Sequence, residues 1–298
     1  MIKRLVALFC FAAVLALNSP VDAEEVRLKT GGQSLSASLT LAGGKTLQDD
    51  IVLITHGTLA HSKMEIIATL QRLLNEAGYS SLAINLALGA PHREFLYDCK
   101  LPHRHIFHDA MSEIGAWLDW LQMKGSKRVV LMGHSRGGNQ TAWFAAEAGH
   151  KLVKKIVLLA PSIWSAEQSA RSYQKFHHQA LADVLEKAQA LADQGKGDTM
   201  IRSGFFYCRG ADVSAATFLS YYGPDERRNS PKLLADIQKP MLIMAGSEDN
   251  VVVGLADIVP QYLKEKTQRF EIIDGAGHFF RDLYAEDVVD LIVEFIAD

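Results

Sequence analysis

Ser135 stands in Gly133-His134-Ser135-Arg136-Gly137, a G-x-S-x-G arrangement. Between a strand and a helix, that spacing holds a serine hydroxyl out on a tight turn. Glycine and serine are common, so roughly one chain of this length in ten carries such a pentapeptide by chance. The motif needs partners before it means chemistry. A serine hydroxyl is a weak nucleophile until a base takes its proton. Of the 11 histidines, His278 is the strongest choice, because it follows an apolar run in "IIDGAGHFF" and sits beside Gly275 and Gly277. An imidazole base needs an acid to fix its tautomer. Asp249 in "MLIMAGSEDN" supplies one at the end of another apolar run, with Glu248 as the neighbouring alternative. Chain order is then Ser135, Asp249, His278.

The other histidines read differently. His134, next to the serine, reads as a packing residue rather than a base, and His56 as shaping a loop. His103, His105 and His108 in "PHRHIFH" raise a metal site, with His105 and His108 on one helix face. Only Asp109 stands ready to complete it, so no metal is assigned.

The flanking elements decide whether these residues can meet. "EEVRLKTGGQSLSASLTL" alternates on both sides of Gly31-Gly32 and predicts a hairpin. "DDIVLITHG", "SSLAINLAL", "KRVVLMGHS", "VKKIVLLAPS" and "KPMLIMAGSED" are apolar runs of the kind buried on both faces of a parallel sheet, and "QRFEIID" adds a last strand. Between them lie helical patterns, among them "MEIIATLQRLLNEAGY", "HDAMSEIGAWLDWLQMKG", "RGGNQTAWFAAEAG", a stretch around "VGLADIVPQYLKEK", and "AEDVVDLIVEFIAD". Strands alternating with helices predict a mostly parallel sheet covered on both faces. Over 163–231 the rhythm breaks, and helical stretches appear with no intervening buried strand. That segment reads as a helical cap inserted over the carboxyl edge of the sheet, where ligands bind. The aromatic and basic residues Phe205, Tyr207, Arg209, Tyr221 and Tyr222 either line its pocket or pack the cap.

The chain resembles the α/β-hydrolases. The resemblance rests on His56-Gly57 after the third strand, the pentapeptide around Ser135, Asp249 and His278, and it covers the sequence outside the cap. It implies an α/β-hydrolase fold, a core of residues 24–162 and 232–298, and a Ser135-His278-Asp249 triad. In relatives, two backbone amides stabilise the oxyanion; here they are those of Thr58 and Arg136. The expected reaction is acyl transfer to water, with a small-molecule carboxylic ester as substrate and no organic cofactor. Thioesters and amides or peptides suit the same triad, and a non-catalytic binding protein on this scaffold is the alternative of another class. Labelling by a serine-directed covalent probe separates the classes.

Composition bounds the rest. The chain has 298 residues, 48% of them hydrophobic, and a formal net charge of −3, with no basic run that would signal nucleic acid. Residues 1–23 read as a signal peptide: Lys3-Arg4, an apolar stretch from Leu5 to Leu17, then Asn18-Ser19-Pro20 and a small-residue site ending at Ala23. The apolar stretch is short for a membrane anchor, and Phe9 stands where a lipid attachment site at Cys10 wants a small residue. Export to a periplasm or to the exterior is the expectation, and it makes Cys99 and Cys208 a disulfide candidate.

Overall fold

The structure, a computed structural model, describes residues 23–298 apart from Pro91, His92, Glu94 and Glu265. The signal-peptide expectation therefore lies almost wholly outside the described residues. Eight strands form one sheet: β1 (Glu24–Thr30), β2 (Gln33–Thr40), β3 (Ile51–Thr55), β4 (Ser80–Asn85), β5 (Val129–His134), β6 (Val153–Leu159), β9 (Met241–Gly246) and β10 (Gln268–Ile273). Their order is β1-β2-β4-β3-β5-β6-β9-β10. The predicted hairpin is β1–β2, with Thr30 opposite Gln33, and every pair from β4 to β10 is parallel.

Side chains of the central strands alternate between two apolar layers. Leu53, Leu131, Leu158 and Ile243 join the layer under α2 (Asp109–Met123) and α3 (Arg136–Glu147). Val52, Met132, Val157 and Leu242 join the layer under α1 (Glu65–Glu76) and α9 (Leu283–Ala297). Burial on both sides explains why these strands read as unbroken apolar runs. From β3 the chain crosses through α1 to β4 on one side; from β4 it crosses through α2 to β5 on the other. That reversal leaves a crevice at the carboxyl ends of β3 and β5, where an open sheet binds ligands.

The insertion differs from the sequence expectation. It contains α4 (Ala166–His177), α5 (Leu181–Asp193), α6 (Ala215–Tyr222) and α7 (Ser230–Leu233), but also a two-stranded hairpin, β7 (Met200–Phe205) with β8 (Cys208–Ser214). The hairpin leaves no trace in the sequence, because its turn residues, Phe206 and Tyr207, carry no glycine or asparagine signal. Phe206 takes a positive φ of 52° without either. A second departure follows β9. The predicted helix there is only one α turn, α8 (Leu255–Ile258), followed by a 3₁₀ turn over Val259–Tyr262. Pro260 lacks the N–H that would continue the α-helical pattern.

Cys99 and Cys208 are joined, with Cα atoms 5.3 Å apart. The bond ties the loop after β4 to the start of β8, so the cap hairpin is anchored to the core covalently. Beside it, His103 N–H donates to Asp212 O (2.8 Å) and Ser214 N–H to His103 O (3.0 Å).

Candidate active site

The turn after β5 is built by what cannot be there. A Cβ at Gly133 would lie 2.3 Å from Gly137 O, and one at Gly137 would lie 2.3 Å from His56 O and 2.4 Å from Thr55 O. Those distances are impossible, so helix α3 packs onto β3 and β5 only because both positions are glycine. Ser135 sits between them at φ 58°, ψ −122°, a strained conformation for a residue with a Cβ. Such strain costs about 1–3 kcal/mol and persists only where the surroundings impose it. Here Ser135 N–H donates to Leu159 O (2.9 Å), and Ser135 O accepts from the amides of Ser162 (3.0 Å) and Asn139 (3.2 Å). The result is a serine at the N-terminus of α3, where unsatisfied amides favour negative charge.

Three strand ends bring the predicted residues together. Ser135 follows β5, Asp249 follows β9 and His278 follows β10. His278 Nδ1 lies 2.8 Å from Asp249 Oδ2 and His278 Nε2 lies 2.9 Å from Ser135 Oγ. An ionised carboxylate only accepts, so Nδ1–H is the donor to Asp249 and Nε2 is free to take the serine proton. The second Asp249 oxygen accepts from Val251 N–H (2.8 Å) and Val252 N–H (2.9 Å). Burial alone would raise the Asp249 pKa; the His278 hydrogen bond and these two amides outweigh it and hold the carboxyl below its usual range. Glu248, the alternative acid, is exposed and has no such contact.

The family model described as alpha/beta hydrolase fold matches residues 50–282. The chain belongs to the α/β-hydrolase fold family. It is an enzyme of that family. A Mycoplasma genitalium protein named as an esterase/lipase is 25% identical over 192 residues, 60% of this chain and 67% of that one. Est1E from Butyrivibrio proteoclasticus, solved with ferulic acid bound, is similar at a TM-score of 0.65 and 19% identity, covering 92% of this chain and 100% of its own. The Pyrococcus furiosus esterase Pf2001 gives a TM-score of 0.62 at 18% identity, covering 93% and 91%.

In this α/β-hydrolase two more histidines lie beside the Ser135-His278-Asp249 line, and both are engaged in packing. His56 is buried, its Nδ1 2.9 Å from Gly57 O, while Nε2 accepts from Leu86 N–H (3.1 Å) and faces Arg93 Nη2 (3.2 Å). Burial, with Arg93 alongside, pushes its pKa down to about 3. It shapes the loop that carries Thr58, as its place in the sequence implied. His134 is likewise held near 3 by burial and by His278 beside it, and its Nε2 donates to His278 O (2.9 Å). It braces the backbone of the proposed base.

Thr58 and Arg136 are neighbours, because Arg136 Nε donates to Thr58 Oγ1 at 2.9 Å. Sequence reasoning valued Arg136 for its amide alone; its guanidinium also lies 4.2 Å from the Phe206 ring centroid, under the cap. The helix face that the sequence offered for His105 and His108 does not form, because both residues precede α2. His103 Nδ1 and His105 Nε2 are 3.1 Å apart, and His105 Nδ1 is 2.8 Å from the Tyr221 hydroxyl. Among the described residues, no three His, Cys, Asp or Glu side chains gather as a metal site.

The cap residues divide. Arg209, Tyr221 and Tyr222 line a pocket of about 590 Å³ between the cap and the core. Phe205 is wholly buried packing, and Tyr207 is exposed, its hydroxyl donating to Tyr97 O (2.9 Å). Ser135 is not in the pocket wall. The pocket adjoins it through Arg136, the next residue, and Ser162, whose amide bonds its carbonyl.

Proposed function

We propose that the protein is a serine hydrolase that cleaves a carboxylic ester of a small molecule through Ser135, His278 and Asp249. The observation that carries this reading is the hydrogen-bonded line from Ser135 Oγ through the His278 ring to Asp249, assembled from three separate strand ends. His278 Nε2 takes the Ser135 proton as Oγ attacks the carbonyl carbon. The developing oxyanion is stabilised by the Thr58 and Arg136 amides, each such donor contributing about 3 kcal/mol to transition-state stabilisation. The protonated imidazole gives its proton to the departing alkoxide, which leaves an acyl-serine. Water, deprotonated by the same nitrogen, then releases the acid and restores the serine. Asp249 stays ionised throughout and stabilises the charged imidazole. The ester reading is also supported by the esterase named among the relatives and the esterases among the similar folds.

Residues 1–23 direct export in this reading, and the Cys99–Cys208 bond agrees with an oxidising compartment outside the cytoplasm. The test is turnover of 4-nitrophenyl butyrate by purified protein. Ser135→Ala is expected to lower kcat by at least about 10⁴-fold with an unchanged circular dichroism spectrum. Residual turnover within tenfold of wild type overturns the assignment.

A further inference from the structure

The pocket beside Ser135 has a one-signed wall. Arg136, Lys175, Arg209 and Arg228 line it, and among the described residues no aspartate or glutamate does. This is unlike the chain as a whole, where 34 acidic residues outnumber 31 lysines and arginines.

Arg228 is the unusual member. It is 3% exposed, and a guanidinium this deep normally has an anionic partner. Nη1 donates to Tyr221 O, and the guanidinium lies 4.9 Å from the Trp164 ring centroid. Nε and Nη2 have no hydrogen-bond partner. The nearby acids are engaged elsewhere. Asp225 uses both oxygens on Arg227, at 2.9 Å each, and Glu226 pairs with Lys232. Nε and Nη2 form the side-on edge of a guanidinium, two parallel donors whose spacing matches the two oxygens of a carboxylate. Burial pulls the Arg228 pKa down to about 10, so the group still carries its charge at neutral pH.

We infer that the ester carries a carboxylate in the part that enters this pocket, and that Arg228 is the specificity residue that binds it. Phe206, Tyr222 and Trp164 supply apolar wall in the same pocket. Arg136, fixed to Thr58 and Phe206, adds positive charge on the side nearest Ser135. The inference rests on the ester-hydrolase reading for its substrate, but the anion site stands on its own geometry.

Two experiments separate them. The first compares kcat/KM for carboxylate esters with uncharged counterparts, with the charge on either side of the scissile bond: 4-nitrophenyl hydrogen glutarate against 4-nitrophenyl pentanoate, and 4-acetoxybenzoate against phenyl acetate. Wild type is expected to favour the charged member of at least one pair tenfold or more, chiefly in KM, and Arg228→Gln to bring that ratio close to one. Arg228→Lys keeps the charge without the paired donors, and is expected to fall between. The second measures binding of glutarate and 4-hydroxybenzoate to Ser135→Ala protein by calorimetry, with and without Arg228→Gln; the added substitution is expected to weaken binding at least tenfold. If no ester is turned over but this binding and its loss are observed, the hydrolase reading fails and the anion site stands. No preference in wild type for either pair, a ratio unmoved by Arg228→Gln, or phosphate bound more tightly than both carboxylates overturns the proposal.

Discussion

The catalytic line and the cap wall of the site differ in how their polar groups are met. On the core side each polar group of the Ser135-His278-Asp249 line is matched: Asp249 meets His278 and two amides, His278 meets Ser135 and Asp249, and His134 ties down the His278 carbonyl. In the cap wall of the pocket, Arg228 Nε and Nη2 and Trp164 Nε1 are buried without partners. A satisfied network fixes one geometry, which is what chemistry at Ser135 needs. Unsatisfied buried donors beside a pocket are costly until a partner reaches them, which is what recognition uses. The proposal assigns the first to chemistry and the second to substrate recognition.

Several perturbations sharpen that contrast. The largest effect is expected at Gly137→Ala, whose Cβ would strike His56 O and Thr55 O. Moving α3 displaces Ser135, so kcat is expected to fall at least about 100-fold, with destabilisation of about 1–3 kcal/mol or more. Gly43→Ala, with nothing within 4 Å of its Cβ, is the matched control and is expected to leave rate and stability unchanged. Equal behaviour of the two would contradict the packing account of the turn.

Next comes the covalent tie between the walls. Replacing Cys99 and Cys208 with serine opens a loop spanning 109 positions of sequence separation. Denaturant unfolding is expected to show a loss on the order of 4 kcal/mol in the chain-entropy picture. If the cap holds the carboxylate, the double variant is also expected to lose charged-ester selectivity before it loses turnover of neutral esters. The reverse order would assign the bond to the core.

A further perturbation, which leaves the covalent structure untouched, is pH. Burial holds His56, His134 and His105 near 3 and His103 near 4, well below the 6.5 of a free imidazole. A depressed histidine contributes stability that is present above about pH 6.5 and lost as pH falls toward the folded value, because only the unfolded chain takes the proton. Glu113, raised to about 7 by burial and accepting from Ala87 N–H (2.8 Å), acts in the opposite sense: its contribution is present below the free carboxylate range and is lost as pH rises through 7. Four histidines outweigh one glutamate, so urea midpoints are expected to fall from pH 7 to pH 5, with each histidine contributing about 1.4 kcal/mol per pH unit at most. Midpoints that rise over this interval would contradict the burial of these groups.

What could be read from the sequence divides along the same line. The strands β3, β5, β6 and β9 are short apolar runs, and the residues that matter stand just beyond their ends, so strand recognition also located Ser135 and Asp249. The turn glycines carried their meaning locally as well. The cap was opaque for a physical reason: β7 and β8 are half-polar strands that pair with each other and, at one bridge, with His103, around a turn of Phe206 and Tyr207 with no turn chemistry to read. Arg228 carried no signal at all, since an arginine beside Asp225 and Glu226 reads as a surface ion pair. Only the fold shows that Asp225 is spent on Arg227 and that Arg228 turns inward.

The central claim is that Ser135 is a nucleophile activated by His278. It is tested most directly by reacting purified protein with a fluorophosphonate and mapping the adduct by peptide mass. One adduct is expected, on the peptide containing Ser135, absent from Ser135→Ala and strongly slowed in His278→Ala. An unlabelled wild-type protein, or an adduct that survives Ser135→Ala, would contradict it.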